Sequence, residues 1–264
     1  MSDNDDVMVG RILTRREMLG FLGAAGAALL VACSGDEKSP ASPAGAGIDE
    51  AAATSTPATS ALAAATSTMT VPACVVAPAL TEGPYFVDEK LNRGDIRTNT
   101  SNGAVSQGAR FDLTINVGHV ANGGCAALAG AMVDIWHCDA AGVYSDASDP
   151  SFNTKGQNFL RGYQLTDSNG QVKFTTVYPG WYQGRAVHIH FKVRNAGSEF
   201  TSQFFFDDAM SQQVYAAAPY ASKGTGFLRN AGDSIYRQSG GMTTLQVTRS
   251  GEIYAATFDI GLRI

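Results

Sequence analysis

Seven residues, Phe111-Asp112-Leu113-Thr114-Ile115-Asn116-Val117, alternate apolar and polar without a break. A period of two places the four apolar side chains on one face of an extended chain, which a helix of 3.6 residues per turn cannot do. Val172-Lys173-Phe174-Thr175-Thr176-Val177 and Thr244-Leu245-Gln246-Val247-Thr248 carry the same alternation. Residues 131–136, 187–193, 202–206 and 253–260 are further strand candidates, and Arg249-Ser250-Gly251-Glu252-Ile253-Tyr254 reads as a hairpin turn into a closing strand. Turn signals such as Asp167-Ser168-Asn169-Gly170 separate them. No long amphipathic helix and no internal repeat interrupts this pattern. The expected fold is all-β: a β-sandwich of mainly antiparallel strands with long loops that carry the active site.

The strand pattern is confined to residues 71–264, enough chain for one well-buried core. Ahead of it, residues 34–70 are built from Ala, Ser, Thr, Pro and Gly with almost no aromatic or branched apolar side chains. Such a stretch cannot bury enough surface to offset the entropy of ordering, and it reads as a flexible tether, with a short helix over 61–65 as the alternative. Residues 1–33 read as a targeting segment. Thr14-Arg15-Arg16-Glu17-Met18-Leu19 has a twin-arginine pattern, and the 14 residues from Leu19 to Ala32 carry no charge. That run is short for a membrane span and right for a signal-peptide core. Leu30-Val31-Ala32-Cys33 resembles a lipoprotein processing site. The expectation is export by the twin-arginine route to the periplasm or cell surface, with a lipid on Cys33 meeting the membrane surface. That route carries folded proteins and so hints at a prosthetic group. With 19 basic against 24 acidic residues, net charge −5, no basic patch is available to meet nucleic-acid phosphates. Beyond Cys33 the cysteines are Cys74, Cys125 and Cys138. An exported domain permits one disulfide among them, and the spacing is compatible with any of the three pairings.

His188-Ile189-His190 places two imidazoles on one face of a strand. Alone, the pair fits two solvated edge histidines as well as half of a metal site. Its surroundings favour the second reading. Pro179-Gly180 makes a turn that brings Tyr182 back over the histidine strand, and Arg185 sets a cation beside it. Upstream, Trp136-His137-Cys138-Asp139 leaves a strand for a loop that reaches Tyr144. A phenol with a pKa near 10 is a poor ligand for a divalent ion but a good one for a hard trivalent ion, so two tyrosines with two histidines favour Fe(III) over Zn(II). His137 follows Trp136 and is expected on the opposite sheet face, in a structural role; His119 carries no functional signal.

These residues resemble the intradiol ring-cleavage dioxygenases. The matching pieces run in the family's order: Thr81-Glu82-Gly83-Pro84-Tyr85-Phe86, Gly130 to Trp136, Gly142-Val143-Tyr144, Pro179-Gly180-Trp181-Tyr182, Arg185 with His188-Ile189-His190, and Gln203 before Phe204-Phe205-Phe206. The resemblance implies one non-haem Fe(III) per chain, held by Tyr144, Tyr182, His188 and His190. It implies that Tyr144 stays on the ion, while Tyr182 leaves it when substrate binds and takes a substrate proton. Arg185 and Gln203 would flank the bound ring, and Tyr85 and Trp136 would wall the pocket; plain core for Trp136 and a surface strand position for Gln203 are the bland alternatives. The implied reaction cleaves a catechol-type ring between its two hydroxylated carbons with O2, giving a cis,cis-muconate-type diacid.

The chain is similar to the protocatechuate branch, where the segment matching Tyr85 comes from a partner subunit; the resemblance implies that one chain builds the whole pocket here. The helical dimerisation region of the catechol branch has no visible counterpart, and a homo-oligomer stays open. Two other classes compete: a tethered β-sandwich binding module that keeps the motif without turnover, and a zinc hydrolase. The latter is disfavoured because no carboxylate accompanies the histidine pair.

Overall fold

The computed structural model describes Cys74, residues 76–121 and residues 124–263. The targeting segment, Cys33, the tether and the alternative helix at 61–65 lie outside these residues. Two sheets face each other. The first is built around β1 (Arg110–Ala121), which pairs in parallel with β11 (Ile253–Leu262) along one edge. Its other edge is shared by β7 (Gln171–Val177) and the short β2 (Gly124–Ala127), both antiparallel to it, and β10 (Thr248–Ser250) flanks β11. The second sheet has the order β6-β3-β8-β9, formed by Arg161–Leu165, Met132–Trp136, His188–Asn195 and Ser198–Phe205, antiparallel throughout. A small hairpin, β4 (Ser148–Asp149) with β5 (Phe152–Asn153), lies in the long connection after β3.

The alternation read in the sequence decides which residues fill the core. Phe111, Leu113, Ile115 and Val117 of β1 and Ala256, Phe258 and Ile260 of β11 are buried against Val133, Ile135, Ile189, Phe191, Val193 and Phe204 of the second sheet. Phe204 links the layers, stacked on Phe191 at 4.0 Å and tilted on Phe258 at 5.0 Å. Each such side chain contributes roughly 2 to 3 kcal/mol of burial. Because Ile189 and Phe191 point inward, His188 and His190 must point to the outer face of this sheet.

That outer face is not left to solvent. The segment before β1 runs along β9 and turns over it. Leu80 N donates to Thr201 O (2.9 Å), Ser202 Oγ to Pro78 O (2.7 Å) and Gln203 Nε2 to Thr81 O (2.9 Å). Further along, Lys192 Nζ is paired with Glu82 and Glu199, and Phe86 lies over the same ammonium at 4.3 Å. Cys74 and Cys125 form a disulfide that fastens the start of this strap to β2, which leaves Cys138 as a buried free thiol.

One expected strand is corrected. The strand read at 244–248 forms no ladder over 244–247: Thr244 makes only a bridge to Phe205, and β10 begins at Thr248. Leu245 N bonds to Phe205 O at the edge of the second sheet, and the chain then crosses to the first. A segment that passes between layers has no neighbouring strand to pair with, whatever its alternation. Two short helices lie in this region, α1 (Asp208–Val214) and α2 (Ser234–Ser239). Both are capped by aspartates, Asp207 and Asp233, whose carboxylates accept from first-turn amides.

His137 is buried between the layers, on the face opposite Trp136. Its Nδ1 donates to Cys138 O (2.8 Å), which leaves Nε2 to accept from Thr176 Oγ1 (2.7 Å). Burial pushes its pKa from 6.5 down to about 4. The unfolded chain therefore binds this proton first: the contribution to stability is complete above pH 6.5 and is lost as the pH falls toward 4, by roughly 3 kcal/mol in all. Urea titrations between pH 7 and 4.5 are expected to show this slope, and His137→Gln to remove one proton's worth of it. An unchanged slope in the variant would contradict the assignment.

Candidate metal centre

Two loops and one strand bring the four donors together. After β3, Asp139 Oδ1 accepts from Ala141 N and Val143 N, both at 2.9 Å, and Asp139 N bonds to Val143 O. This tight turn presents Tyr144, and Thr154 Oγ1 holds the tyrosine carbonyl at 2.6 Å. After β7, Gly180 N donates to Asp139 O (3.1 Å), so the loop carrying Tyr182 is tied to the loop carrying Tyr144. The two phenol rings meet at 5.7 Å. Glycine is required here because a Cβ at position 180 would overlap the carbonyls of Asp139 and Ala140. Gly180→Ala is expected to cost about 2 to 4 kcal/mol, read as a lowered thermal midpoint; full stability would mean that the loops do not depend on this approach.

His188 Nδ1 donates to Ala186 O at 2.6 Å, so its Nε2 carries the free lone pair. That nitrogen lies 3.1 Å from His190 Nε2, 3.4 Å from Tyr144 Oη and 3.5 Å from Tyr182 Oη. Such spacings match the edges of a coordination shell whose centre lies about 2 Å from each nitrogen. Burial, reinforced by Arg185, pushes His188 down to about 3, and burial with the charge of His188 holds His190 well below 6.5. Both imidazoles are neutral, as ligands must be. Burial raises both phenols, Tyr144 well above 10, so neither ionises without a cation beside it. Among the described residues no group of three or more His, Cys, Asp or Glu side chains is placed to hold a metal. Two imidazoles and two phenols are the side chains here that could hold an ion, and hard oxygen donors of this kind fit a trivalent one.

The supporting residues are equally specific. Trp136 stacks on His190 at 4.9 Å and 8°. Gly83 approaches the same ring, and an added Cβ there would lie 3.2 Å from His190 Cε1. Gln203, opposite His190 in the register, is fully buried: Oε1 accepts from Arg185 Nη2 at 2.5 Å while Nε2 holds Thr81 O. Arg185 Nη1 lies 3.4 Å from Tyr182 Oη, and its Nε donates to Asp233 Oδ2 at 2.9 Å. Tyr85 stacks on Tyr144 at 4.5 Å and donates its hydroxyl to Asp149 Oδ2 at 2.7 Å. A cleft of about 650 Å³ opens on the far side, lined in part by Tyr85, Phe152, Trp181, Tyr182 and Lys223. Tyr182 borders this cleft, whereas Tyr144 is 1% exposed and lies behind it.

All eight residues singled out in the sequence fall in this one cluster, with Trp136 placed as the support of a histidine rather than as cleft wall. Asp233 was not foreseen. Its Asp-Ser start announces a helix cap, but nothing local announces that the same carboxylate grips Arg185 and Ala186 N. Burial pushes Asp233 up, yet Arg185 and the backbone donors outweigh it and leave the carboxyl below its usual range. Asp149 was likewise missed, since its link to Tyr85 spans 64 residues.

A β-sandwich whose outer face carries paired histidines and paired tyrosines under an N-terminal strap defines a narrow class of protein. A family model described as Dioxygenase matches residues 81–222, and the chain belongs to that family, the intradiol ring-cleavage dioxygenases. It is similar to a chlorocatechol 1,2-dioxygenase of Pseudomonas putida, 29% identical over 151 residues, covering 50% of this chain and 54% of that protein. The match thus spans about half the length of that relative. The protocatechuate 3,4-dioxygenase beta chain of Burkholderia cepacia is 27% identical over 194 residues, covering 68% of this chain and 76% of that one. Among solved structures, an intradiol ring-cleavage dioxygenase from Tetranychus urticae superposes with a TM-score of 0.63 at 29% identity, covering 72% of this chain and 95% of that chain.

Proposed function

We propose that this protein is an Fe(III)-dependent intradiol dioxygenase that cleaves a catechol-type ring between its two hydroxylated carbons with O2, giving a cis,cis-muconate-type diacid. The observation that carries this reading is the gathering of Tyr144 Oη, Tyr182 Oη and His190 Nε2 within 3.5 Å of His188 Nε2. When bound there, ferric ion supplies a Lewis acid that draws electron density from a chelated catecholate.

The chain's own residues divide the remaining work. Tyr144, sealed from solvent, suits a ligand that stays. Tyr182, on the cleft, suits one that yields its place and takes a proton from the incoming catechol on its oxygen. The guanidinium of Arg185 faces that oxygen and favours charge there. Gln203 uses both ends of its amide, on Arg185 and on the strap, so its part is to fix Arg185. Trp136 and Gly83 hold the plane of His190, and Tyr85 with Trp181 offers aromatic walls to a flat ring. The Arg15-Arg16 pattern and Cys33 support export and a lipid anchor, so the aromatic substrate would be met outside the cytoplasm; Cys33→Ala is expected to move the protein from membrane to soluble fractions.

Elemental analysis and visible spectroscopy test the metal, and oxygen uptake across catechol, protocatechuate, hydroxyquinol and chlorinated catechols tests the reaction. The expected results are one iron per chain, a tyrosinate-to-iron colour that shifts on adding catechol, and oxygen consumption with at least one substrate. A colourless, iron-free protein from cells supplied with iron would sink the reading.

A further inference from the structure

Arg161 opens β6 directly opposite Trp136 and is 2% exposed. Its Nε and Nη2 grip Ser145, donating to the carbonyl at 3.2 and 2.6 Å, and Nε also reaches Ser145 Oγ at 2.9 Å. The serine hydroxyl in turn donates to Phe159 O at 2.6 Å. The third nitrogen, Nη1, is buried with no hydrogen-bond partner. No carboxylate among the described residues forms an ion pair with this guanidinium. Its charge is permanent, and a buried permanent charge without a directly paired anion is unfavourable.

The backbone on both sides of this contact is also unusual. Leu160, next to Arg161, has φ +56°, and Asp146, next to Ser145, has φ +44°. A buried leucine in the left-handed region persists only where its surroundings require it. The backbone is thus unusual on both sides of the contact that sets this cation behind the residue following Tyr144. Burial pushes Arg161 down to about 10, and Tyr144 stands first among the groups that oppose the fall, ahead of Glu89 and Asp146.

We infer that Arg161 is a positioning residue for Tyr144: through Ser145 it fixes the tyrosine's backbone, and its unpaired guanidinium balances the phenolate that would form when the ion binds. This rests on the reading of Tyr144 as a ligand that stays on Fe(III). In the apoprotein Tyr144 is a neutral phenol and the guanidinium has no ion-pair partner among the described residues. In the iron-loaded protein the phenolate would add an anion to the interior that holds the guanidinium. Holding a carbonyl needs only a donor, which a neutral amide provides. Neutralising a buried phenolate needs the charge.

The experiment compares the full chain with Arg161→Gln and Arg161→Lys, each prepared with and without iron. Readouts are iron affinity by chelator competition, position of the visible band, and the rise in thermal midpoint on iron loading. Arg161→Gln is expected to weaken iron binding at least tenfold, move the band to longer wavelength and shrink the iron-induced rise, because iron no longer relieves a buried cation. Arg161→Lys is expected to stay within about threefold of the wild type in affinity, with its band in place. A folded glutamine variant with wild-type affinity and band overturns the inference. If the glutamine variant does not fold, the lysine variant decides: a tenfold loss there overturns it, since charge alone then does not suffice. A wild-type protein that takes up no iron and shows no colour instead removes the dioxygenase reading itself.

Discussion

Tyr144→Phe is expected to strip the protein of most of its visible colour and to raise the iron dissociation constant at least about 100-fold, because in the proposed centre it removes the one anionic donor that substrate would not displace. The metal-free form should scarcely notice the change. Among the described residues the hydroxyl meets His188 Nε2 at 3.4 Å, a long contact, and the Tyr182 hydroxyl, and the ring keeps its stacking on Tyr85. A loss of under about 1 kcal/mol in the apoprotein, beside a large loss of iron, separates a ligand from a packing residue. Full iron content and an unchanged spectrum would contradict the role given to Tyr144.

Arg185→Ala should act on turnover and leave the metal in place. Arg185 gives its hydrogen bonds to Asp233, Gln203 and Tyr182; it faces the Tyr182 oxygen, where the proposed reaction gathers charge, and loss of such a donor costs about 100- to 1,000-fold in rate. The substitution also strands Asp233, whose side chain is 1% exposed and whose Oδ2 keeps only Ala186 N. A stability loss of about 3 kcal/mol is expected from that uncompensated carboxylate. Coloured, iron-replete protein with kcat within threefold of the wild type would remove Arg185 from the chemistry.

β1 and β7 were legible because each alternates over a sheet with one face in the core, and β3, β8 and β11 fall on the further strand candidates. Residues 244–247 alternate equally well and form no strand, since pairing depends on a neighbour that local pattern cannot supply. The site was legible to the same degree. His188, His190, Tyr182 and Arg185 lie within nine residues of one another and declare themselves by spacing. Tyr144 needed the resemblance. Asp233, Asp149 and Arg161 act on residues distant in the chain, and a carboxylate in a helix cap or an arginine opening an edge strand has no signature of what it will grip.

The strap has a consequence for how this protein comes into being. Thr81 and Gln203 are joined across 122 residues, and Pro78 and Ser202 across 124. Contacts of such long range form slowly and late, because the intervening chain must be closed first. The earliest-synthesised residues of the domain are therefore among the last to find their places, waiting until β9 has been made and paired. Until they do, His190 lacks the glycine that packs against its ring and Gln203 lacks the carbonyl that orients it. A nascent or truncated chain that stops short of β9 has no competent centre, and assembly of the site reports that nearly the whole domain has folded.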